Sequence, residues 1–276
     1  MRVAAIQMSS GSDIGRNLET ARRLIEAAAA DGCEFAVLPE NFALMPEKSR
    51  DKARHAETPG HGPIQDWLAA AAKDTGLWLV GGSIPLASPE PERVYGACPV
   101  VAPDGSQRAC YRKIHLFDVR LPDGERSYRE SWSMYPGEDP VVVATPAGHL
   151  GLTICYDVRF PELFRRLVDM GATLFTVPAA FTVPTGKAHW HTLLRARAIE
   201  NLAYVIAPGQ YGTHPDDRST YGHSLIVDPW GRVVAELPEG DGHAAAELDP
   251  ELPGCLRGDF PALANRRLGG AEGQTN

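Results

Sequence analysis

A short apolar run that stops at a cysteine and continues as a helix constrains this chain more than any other part of its sequence. Residues 150–164 read LGLTICYDVRFPELF, which predicts a strand ending at Cys155 and a helix beginning at Pro161 and Glu162. A cysteine in such a turn presents its sulfur at a sheet edge and leaves the next backbone N–H free to meet negative charge. The alternative is a buried structural thiol, because free cysteine is among the residues most often buried.

Predicted strands and helices alternate along most of the chain. Strands are predicted at residues 3–8, 35–39, 77–80, 94–101, 107–111, 141–144, 149–154, 174–178, 204–207, 225–227, 232–235 and 244–248. Helices are predicted at 17–30, 63–75, from 161 onward, and at 188–201. This interleaving predicts an α/β protein built as a layered sandwich of helices and sheets.

Sequence patterns also indicate how the chain is divided. Residues 31–39 resemble 170–178, since each has a helix end, a glycine, an apolar strand and a terminating proline, which suggests two related halves. The polar stretch 118–140 is long for a connection, and such loops are usually functional or disordered. From Pro250 the chain is rich in glycine, proline, alanine and arginine, so we expect a domain at 1–249 and an extended arm or loose tail at 250–276.

Composition argues against several classes of protein. The net charge of −8 does not suggest a nucleic-acid surface, and no apolar run approaches the roughly 18 residues of a membrane span. The N-terminus reads as a strand rather than a signal peptide, and the absence of a glycine-rich phosphate loop means that ATP or a dinucleotide is not implied. Five scattered cysteines without a C-x-x-C pair argue against a disulfide framework and favour a reducing cytoplasm.

Three residues with complementary chemistry lie at predicted strand ends. Glu40, Lys113 and Cys155 each lie at or just past a strand, and adjacent strand ends share the sheet edge where α/β folds build their sites. Because free cysteine is little ionised at neutral pH, a carboxylate must take its proton or a cation must stabilise the thiolate. The alternative for Glu40 and Lys113 is a solvated surface ion pair of negligible worth.

The blocks around these residues resemble the nitrilase superfamily of carbon–nitrogen hydrolases, specifically its Nit-type amidases. The resemblance rests on LPEN at 38–41, YRKIHL at 111–116 and ICYDVRFPE at 154–162, which occur in the family's order. Further similarity runs through 181–190, 194–201, 221–224 and 228–231, so it covers nearly the whole chain up to about residue 248.

The resemblance implies a fold, an assembly and a set of roles. The fold would be the four-layer α-β-β-α sandwich of the nitrilase type, and members usually form dimers by placing the sheets of two subunits side by side. Glu40 would be the general base, Lys113 the cation beside the oxyanion and Cys155 the nucleophile of a cofactor-independent amidase. Glu130 would be the family's second glutamate, closing the cleft and orienting Lys113 or the substrate; as an alternative it is a solvated loop carboxylate. The remaining candidates for the oxyanion and substrate sites are Tyr156, Arg159 and Phe181.

The resemblance also implies a substrate, a small amide bearing a carboxylate. Among Nit-type enzymes, the later blocks are most similar to deaminated-glutathione amidases, which release 2-oxoglutarate and cysteinylglycine. The alternatives are an ω-amidase acting on 2-oxoglutaramate, an N-acyltransferase using the same thioester, and a non-enzymatic thiol sensor or scaffold. Lys187, Arg126 or Arg129 would favour a dipeptide carboxylate in the leaving group.

Other polar residues of the same region have structural interpretations. Arg159 is as well explained by an ion pair with Glu162 or Asp157 as by a substrate carboxylate. His189 and His191 are two apart, point to different faces of a helix and cannot both bind one metal, so no metal site is predicted. The arginines at 195 and 197 are expected to pack and to form ion pairs.

Overall fold

A computed structural model describes residues 1–120, 127–215 and 217–268. The strands are β1 (Arg2–Gln7), β2 (Phe35–Val37), β3 (Trp78–Val80), β4 (Ile84–Ala87), β5 (Val94–Val101), β6 (Gln107–Arg112), β7 (Asp118–Arg120), β8 (Ser127–Arg129), β9 (Val142–Thr145), β10 (Gly148–Leu152), β11 (Leu174–Thr176), β12 (Tyr204–Ala207), β13 (Tyr211–Thr213), β14 (Ser219–Tyr221), β15 (Ser224–Val227), β16 (Val233–Leu237) and β17 (Gly242–Glu247). The helices are α1 (Ile14–Ala30), α2 (Pro63–Thr75), α3 (Pro161–Asp169), α4 (Val183–Asn201) and α5 (Leu252–Asp259). Short 3-10 segments occur at Ser49–His55, Glu130–Trp132 and Cys155–Arg159.

Two mixed sheets form the centre of the protein. One has the strand order β17-β1-β2-β3-β5-β4, with β6 paired to β5, and the other has the order β16-β15-β12-β11-β10-β9. The neighbours β1, β2 and β3 are parallel, as are β10, β11 and β12. The similar segments 31–39 and 170–178 therefore supply the same central strand, β2 or β11, in each of the two sheets.

The alternation of buried residues along β1 and β2 explains the layers. Val3 and Val37 belong to a core cluster shared with Leu174 of the second sheet. Ala4 belongs to a separate cluster with Leu24 of α1, on the opposite face of the strand. On the far side of the second sheet, α3 contacts β10, and α4 contacts β12. Because successive strand residues point to opposite faces, this pattern gives the four-layer α-β-β-α sandwich that the sequence predicted.

The start of α4 differs from the sequence prediction. The helix begins at Val183 rather than Ala188, because Pro184 occupies its first turn, where the missing N–H costs nothing. Gly186 is required at this point, since a Cβ atom would lie 2.2 Å from the ring of Tyr221.

The segments predicted to be a loop and a tail are more ordered than expected. Within 118–140, β7 and β8 form an antiparallel hairpin followed by the 3-10 segment Glu130–Trp132. The expectation of an extended arm or loose tail from Pro250 is wrong for residues 252–259, which form α5 with a proline in its first turn. Arg257 anchors this helix by donating to the carbonyls of Ala172 and Asn201, at 2.8 and 2.9 Å. The boundary at 249/250 stays a prediction.

None of the helices within 1–120, 127–215 and 217–268 is both long enough and apolar enough to cross a membrane.

Candidate active site

Three strand ends and one loop bring four charged or reactive side chains together. Lys113 directly follows β6, and its Nζ lies 2.7 Å from Oε1 of Glu40, which comes three residues after β2. The same ammonium lies 2.9 Å from each carboxylate oxygen of Glu130. Glu40, Lys113 and Cys155 are only 5%, 2% and 8% exposed, so the alternative of a solvated surface ion pair does not apply to the first two.

Glu40 connects the two halves of the molecule. Its Oε2 accepts a hydrogen bond of 2.9 Å from the backbone N–H of Ala180, beyond the end of β11, and it also hydrogen-bonds the Cys155 thiol. Burial alone would raise the pKa of Glu40, but the positive charge and hydrogen bond of Lys113 outweigh burial and lower it. Glu40 is therefore an ionised carboxylate placed against the sulfur at neutral pH.

The Cys155 thiol is protonated in the resting protein. Burial, followed by the negative charge of Glu40, raises its pKa well above the usual value, although Lys113 works in the opposite direction. The sequence left two means of activating the cysteine open, proton transfer to a carboxylate and stabilisation of a thiolate by a cation. The raised pKa favours the first, in which the thiol loses its proton as it attacks.

Lys113 keeps its positive charge despite complete burial. Burial would lower the pKa of Lys113, but the carboxylates of Glu130 and Glu40 raise it well above its ordinary value. Glu130 is fixed in turn, since its Oε2 accepts a 2.6 Å hydrogen bond from the backbone N–H of Phe117. The side chain of Glu130 is 17% exposed and contacts Lys113, so Glu130 is not a solvated loop carboxylate.

A buried aspartate, which the sequence reasoning did not assign to the site, holds the cysteine turn. Cys155 has a left-handed φ of +50°, a conformation that costs energy unless neighbouring contacts enforce it. Asp157 accepts hydrogen bonds from the N–H of Ile154 (2.8 Å), the hydroxyl of Tyr111 (2.8 Å) and the N–H of His115 (3.1 Å). Its carboxylate therefore ties the turn after β10 to the segment that carries Lys113.

A cavity of about 1120 Å³ opens over these residues. Its wall includes Glu40, Lys113, Glu130 and Cys155, together with the aromatic residues Phe117, Tyr156 and Phe181. Besides Lys113 it has five cationic residues, Lys48, Arg50, Lys52, Arg129 and Arg218, against the three acidic residues Glu40, Asp51 and Glu130. A second cavity of about 520 Å³, near Tyr95 and Tyr135, includes none of the four clustered residues. The larger cavity is suited to a negatively charged small molecule.

The candidate residues beside Cys155 occupy different positions. Tyr156 and Phe181 line the cavity, whereas Arg159 is not among its described lining residues. The guanidinium of Arg159 lies 5.9 Å from the ring of Tyr156 and 5.4 Å from that of Phe181. Its Nη2 lies 3.2 Å from His189, instead of pairing with either of the acidic residues that the sequence suggested. Arg159 therefore packs against two aromatic residues of the cavity wall.

Lys52 is a cavity residue that the sequence did not single out. Its Nζ donates to Oδ1 of Asn41 at 2.7 Å. Burial lowers the pKa of Lys52 to about 8, although the carboxylates of Glu130 and Glu40 partly oppose this and the charges of Arg218 and Lys113 add to it. Lys52 lies in the charged run 47–57, and nothing in that part of the sequence distinguishes this lysine, which hydrogen-bonds Asn41, from the other charged residues.

The remaining polar candidates lie elsewhere. Lys187 is exposed on α4 and is not among the described lining residues, and Arg126 lies outside the described residues. The arginine at 195 donates to the carbonyl of Gly231, and the one at 197 donates to Val158 and Glu200, which are packing and pairing roles as predicted.

Comparisons with known proteins identify the family of this chain. The carbon–nitrogen hydrolase family matches residues 2–254. The deaminated glutathione amidase of Synechocystis sp. is 42% identical over 266 residues, which cover 95% of this chain and 97% of the relative.

Two solved structures have the same fold. The C. elegans NitFhit protein superposes with a TM-score of 0.89 and 39% identity, over 96% of this chain but only 65% of that chain. A mutant of the amidase from Nesterenkonia sp. AN1 carries acrylamide added to its active-site cysteine. It superposes with a TM-score of 0.78 at 26% identity, over 96% of this chain and 99% of its own.

The sequence match extends over nine-tenths of the chain, and the relatives it reaches include amidases with an active-site cysteine. This chain therefore belongs to the carbon–nitrogen hydrolase family and is an amidase.

Proposed function

We propose that this amidase hydrolyses deaminated glutathione to 2-oxoglutarate and cysteinylglycine through a thioester on Cys155. The observation that carries the proposal is the cationic cavity above Cys155, which suits a substrate with a carboxylate at each end. The relatives that bear the name deaminated glutathione amidase support the choice of substrate.

The reaction begins when Sγ of Cys155 attacks the amide carbon while Glu40 takes the thiol proton. The oxyanion that forms is stabilised by Lys113 and by the backbone N–H of Tyr156, at a few kcal/mol per donor in comparable sites. Glu40 then gives its proton to the departing amine as the carbon–nitrogen bond breaks. Water attacks the thioester while Glu40 again takes a proton; the carbon–sulfur bond breaks, the acid leaves, and Glu40 returns the proton to Sγ.

Glu130 takes no proton in this scheme and acts on Lys113. Both of its carboxylate oxygens, and one from Glu40, lie within hydrogen-bond distance of the ammonium. With both carboxylates in place the lysine stays charged, so it can meet the oxyanion without itself losing a proton.

Two cations are assigned to the two ends of the substrate. Lys52 lies beside Asn41 and close enough to Glu40 and Glu130 to be affected by their charges, so we assign it the carboxylate of the oxo-acid part. Of the three cations considered for the leaving group, Arg129 alone is among the described cavity residues, and we assign it the dipeptide carboxylate.

An exposed apolar patch supports a homodimer. Ile199, Trp230, Val233, Val234 and Phe260 are 37–53% exposed. Trp230 and Phe260 are in contact, with ring centroids 5.8 Å apart, and Ile199 packs against Gly231. Val233 and Val234 lie on β16, the edge strand of its sheet, and exposed apolar patches of this kind mark association surfaces.

All five cysteines are free, which supports a reducing, cytoplasmic location.

The first prediction concerns the nucleophile. Cys155→Ala should lower kcat by at least ~10³-fold, because no thioester can form, while circular dichroism and thermal stability stay close to wild type. Cys255→Ala, at an exposed cysteine of α5, should retain full activity. Substantial turnover by a folded Cys155→Ala protein would rule out the mechanism.

The second prediction concerns the substrate. The value of kcat/KM, measured by release of 2-oxoglutarate, should be higher for deaminated glutathione than for 2-oxoglutaramate. Arg129→Met should lower kcat/KM about tenfold for deaminated glutathione only. The leaving group of 2-oxoglutaramate is ammonia, which has no carboxylate for Arg129 to bind. Arg120→Met, in the same hairpin, is the control. A preference for 2-oxoglutaramate would contradict the proposed substrate and leave the catalytic assignments standing.

The third prediction is a pH dependence. Lys52 is charged below its pKa of about 8, so KM for both substrates should rise as the pH passes upward through about 8. Lys52→Met should raise KM about 10–100-fold at pH 7 and remove this rise, since a charge-assisted hydrogen bond is lost. Lys73→Met, on the exposed face of α2, should behave as wild type. Unchanged KM values in Lys52→Met would show that Lys52 does not bind the substrate.

The fourth prediction concerns assembly. Light scattering at micromolar concentration should give about twice the chain mass of 29.8 kDa. Trp230→Glu combined with Val234→Glu should shift the protein toward the monomer, because both introduce charge into the apolar patch. Ala87→Glu, on an edge strand of the other sheet, should leave the dimer intact. A wild-type protein found only as monomer would refute the proposal.

A further inference from the structure

Two histidines and a glutamate from three separate elements meet away from the catalytic cavity. His191 lies on α4, His223 immediately precedes β15, and Glu236 lies on β16. Oε1 of Glu236 is 2.9 Å from Nε2 of His191 and 2.6 Å from Nδ1 of His223. The three potential ligand atoms all lie within 4.8 Å of one another, and none of these residues is among the described lining of the catalytic cavity.

From this arrangement we propose that His191, His223 and Glu236 form a binding site for a divalent transition metal ion of the Zn²⁺ class. Two imidazoles and one carboxylate are a donor set that Zn²⁺ accepts with a fourth position open to water. Zn²⁺ bonds of about 2.0–2.2 Å at tetrahedral angles place neighbouring ligand atoms roughly 3.3–3.5 Å apart. The two contacts to Glu236 would need to widen by less than about 1 Å, which small side-chain rotations provide.

The backbone around the cluster is already fixed in the arrangement required. His223 has a left-handed φ of +53°, which is uncommon for a residue other than glycine. Its N–H donates to Pro238, and its carbonyl accepts from the indole N–H of Trp190. The ring of Tyr221 stacks on the imidazole of His223, with centroids 4.1 Å apart. These contacts hold one ligand in place, as the surroundings of metal-binding histidines commonly do.

The charge of the cluster also suits a cation. Glu236 supplies a carboxylate, and one nitrogen of each imidazole already lies within hydrogen-bond distance of its Oε1. Side-chain exposures of 35%, 24% and 28% for His191, His223 and Glu236 leave an ion room to enter from solvent.

A second group of possible ligands lacks this charge arrangement. Asp31, Cys33 and His243 also lie within 4.8 Å of one another. However, Nη2 of Arg2 lies 2.7 Å from Oδ2 of Asp31, so a metal ion would have to displace a guanidinium. Burial also raises the pKa of the Cys33 thiol, which disfavours the thiolate that metals bind.

An ion at the first site would have a structural effect. It would link α4 to the hairpin of β15 and β16, joining the outer helical layer to the edge of the second sheet. The linkage forms only in the folded protein, so the ion should raise the melting temperature.

The experiment is a calorimetric titration of the metal-free protein with Zn²⁺, repeated on His191→Gln, His223→Gln and Glu236→Gln. We expect one saturable site per chain, with binding weakened at least ~10-fold in each variant and unchanged in His149→Gln, at an exposed histidine elsewhere. Free Zn²⁺ at a hundred times its Kd should raise Tm by at least ~3 °C in wild type and in His149→Gln, and in none of the three cluster variants.

The absorption spectrum of bound Co²⁺ distinguishes this site from the cysteines, because thiolate ligands give an intense charge-transfer band. Co²⁺ bound without that band, and lost in the three cluster variants, is the expected result. Zn²⁺ binding that persists in all three folded variants, or no saturable binding in wild type, would overturn the proposal and leave the cluster as a hydrogen-bonded ion pair.

Discussion

The active site depends on one buried ammonium held between two carboxylates. Lys113 is 2% exposed and contacts Glu40 and Glu130 at 2.7 and 2.9 Å. Removing one partner of a buried ion pair costs about 3–5 kcal/mol, because the other charge is left uncompensated. The contacts join the end of β6, the end of β2 and the segment after β8, so the three charges to which we assign catalytic roles also fix the walls of the cavity.

The same cluster affects the protonation of the proposed nucleophile. Lys113, Glu40 and Glu130 together carry a charge of −1, and burial followed by the negative charge of Glu40 raises the pKa of the Cys155 thiol, so the resting thiol is neutral. A neutral thiol is protected from oxidation but must lose its proton as it attacks. Asp157 complements this by holding Cys155 in its left-handed turn, so the sulfur and its proton acceptor are in place before a substrate arrives.

The sequence was sufficient to predict those candidate site residues that lie in short, contiguous motifs. Glu40 and Lys113 follow non-adjacent strands of one sheet and Cys155 follows a strand of the other, so the expectation that their strand ends share one sheet edge is wrong. The motif blocks of the family resemblance, and not strand adjacency, carried the prediction that the three residues meet. The hydrogen bond of Lys52 to Asn41, the anchoring of the turn by Asp157 and the contact of His191 with Glu236 were not predicted. Each depends on residues distant in sequence, 45 positions apart for His191 and Glu236, which periodicity along one element does not reveal. The tail was misread because its proline and glycine content suggested a break, although proline favours the first turn of a helix.

The central claim is that hydrolysis passes through a thioester on Cys155, and nucleophile partitioning tests it most directly. Deaminated glutathione and 2-oxoglutaramate differ only in their leaving groups, so both should give the same acyl group on the sulfur. With hydroxylamine present, the ratio of hydroxamate to 2-oxoglutarate should then be identical for the two substrates at each hydroxylamine concentration. Two different ratios would mean that the leaving group is still present when the nucleophile attacks, and would contradict a common thioester.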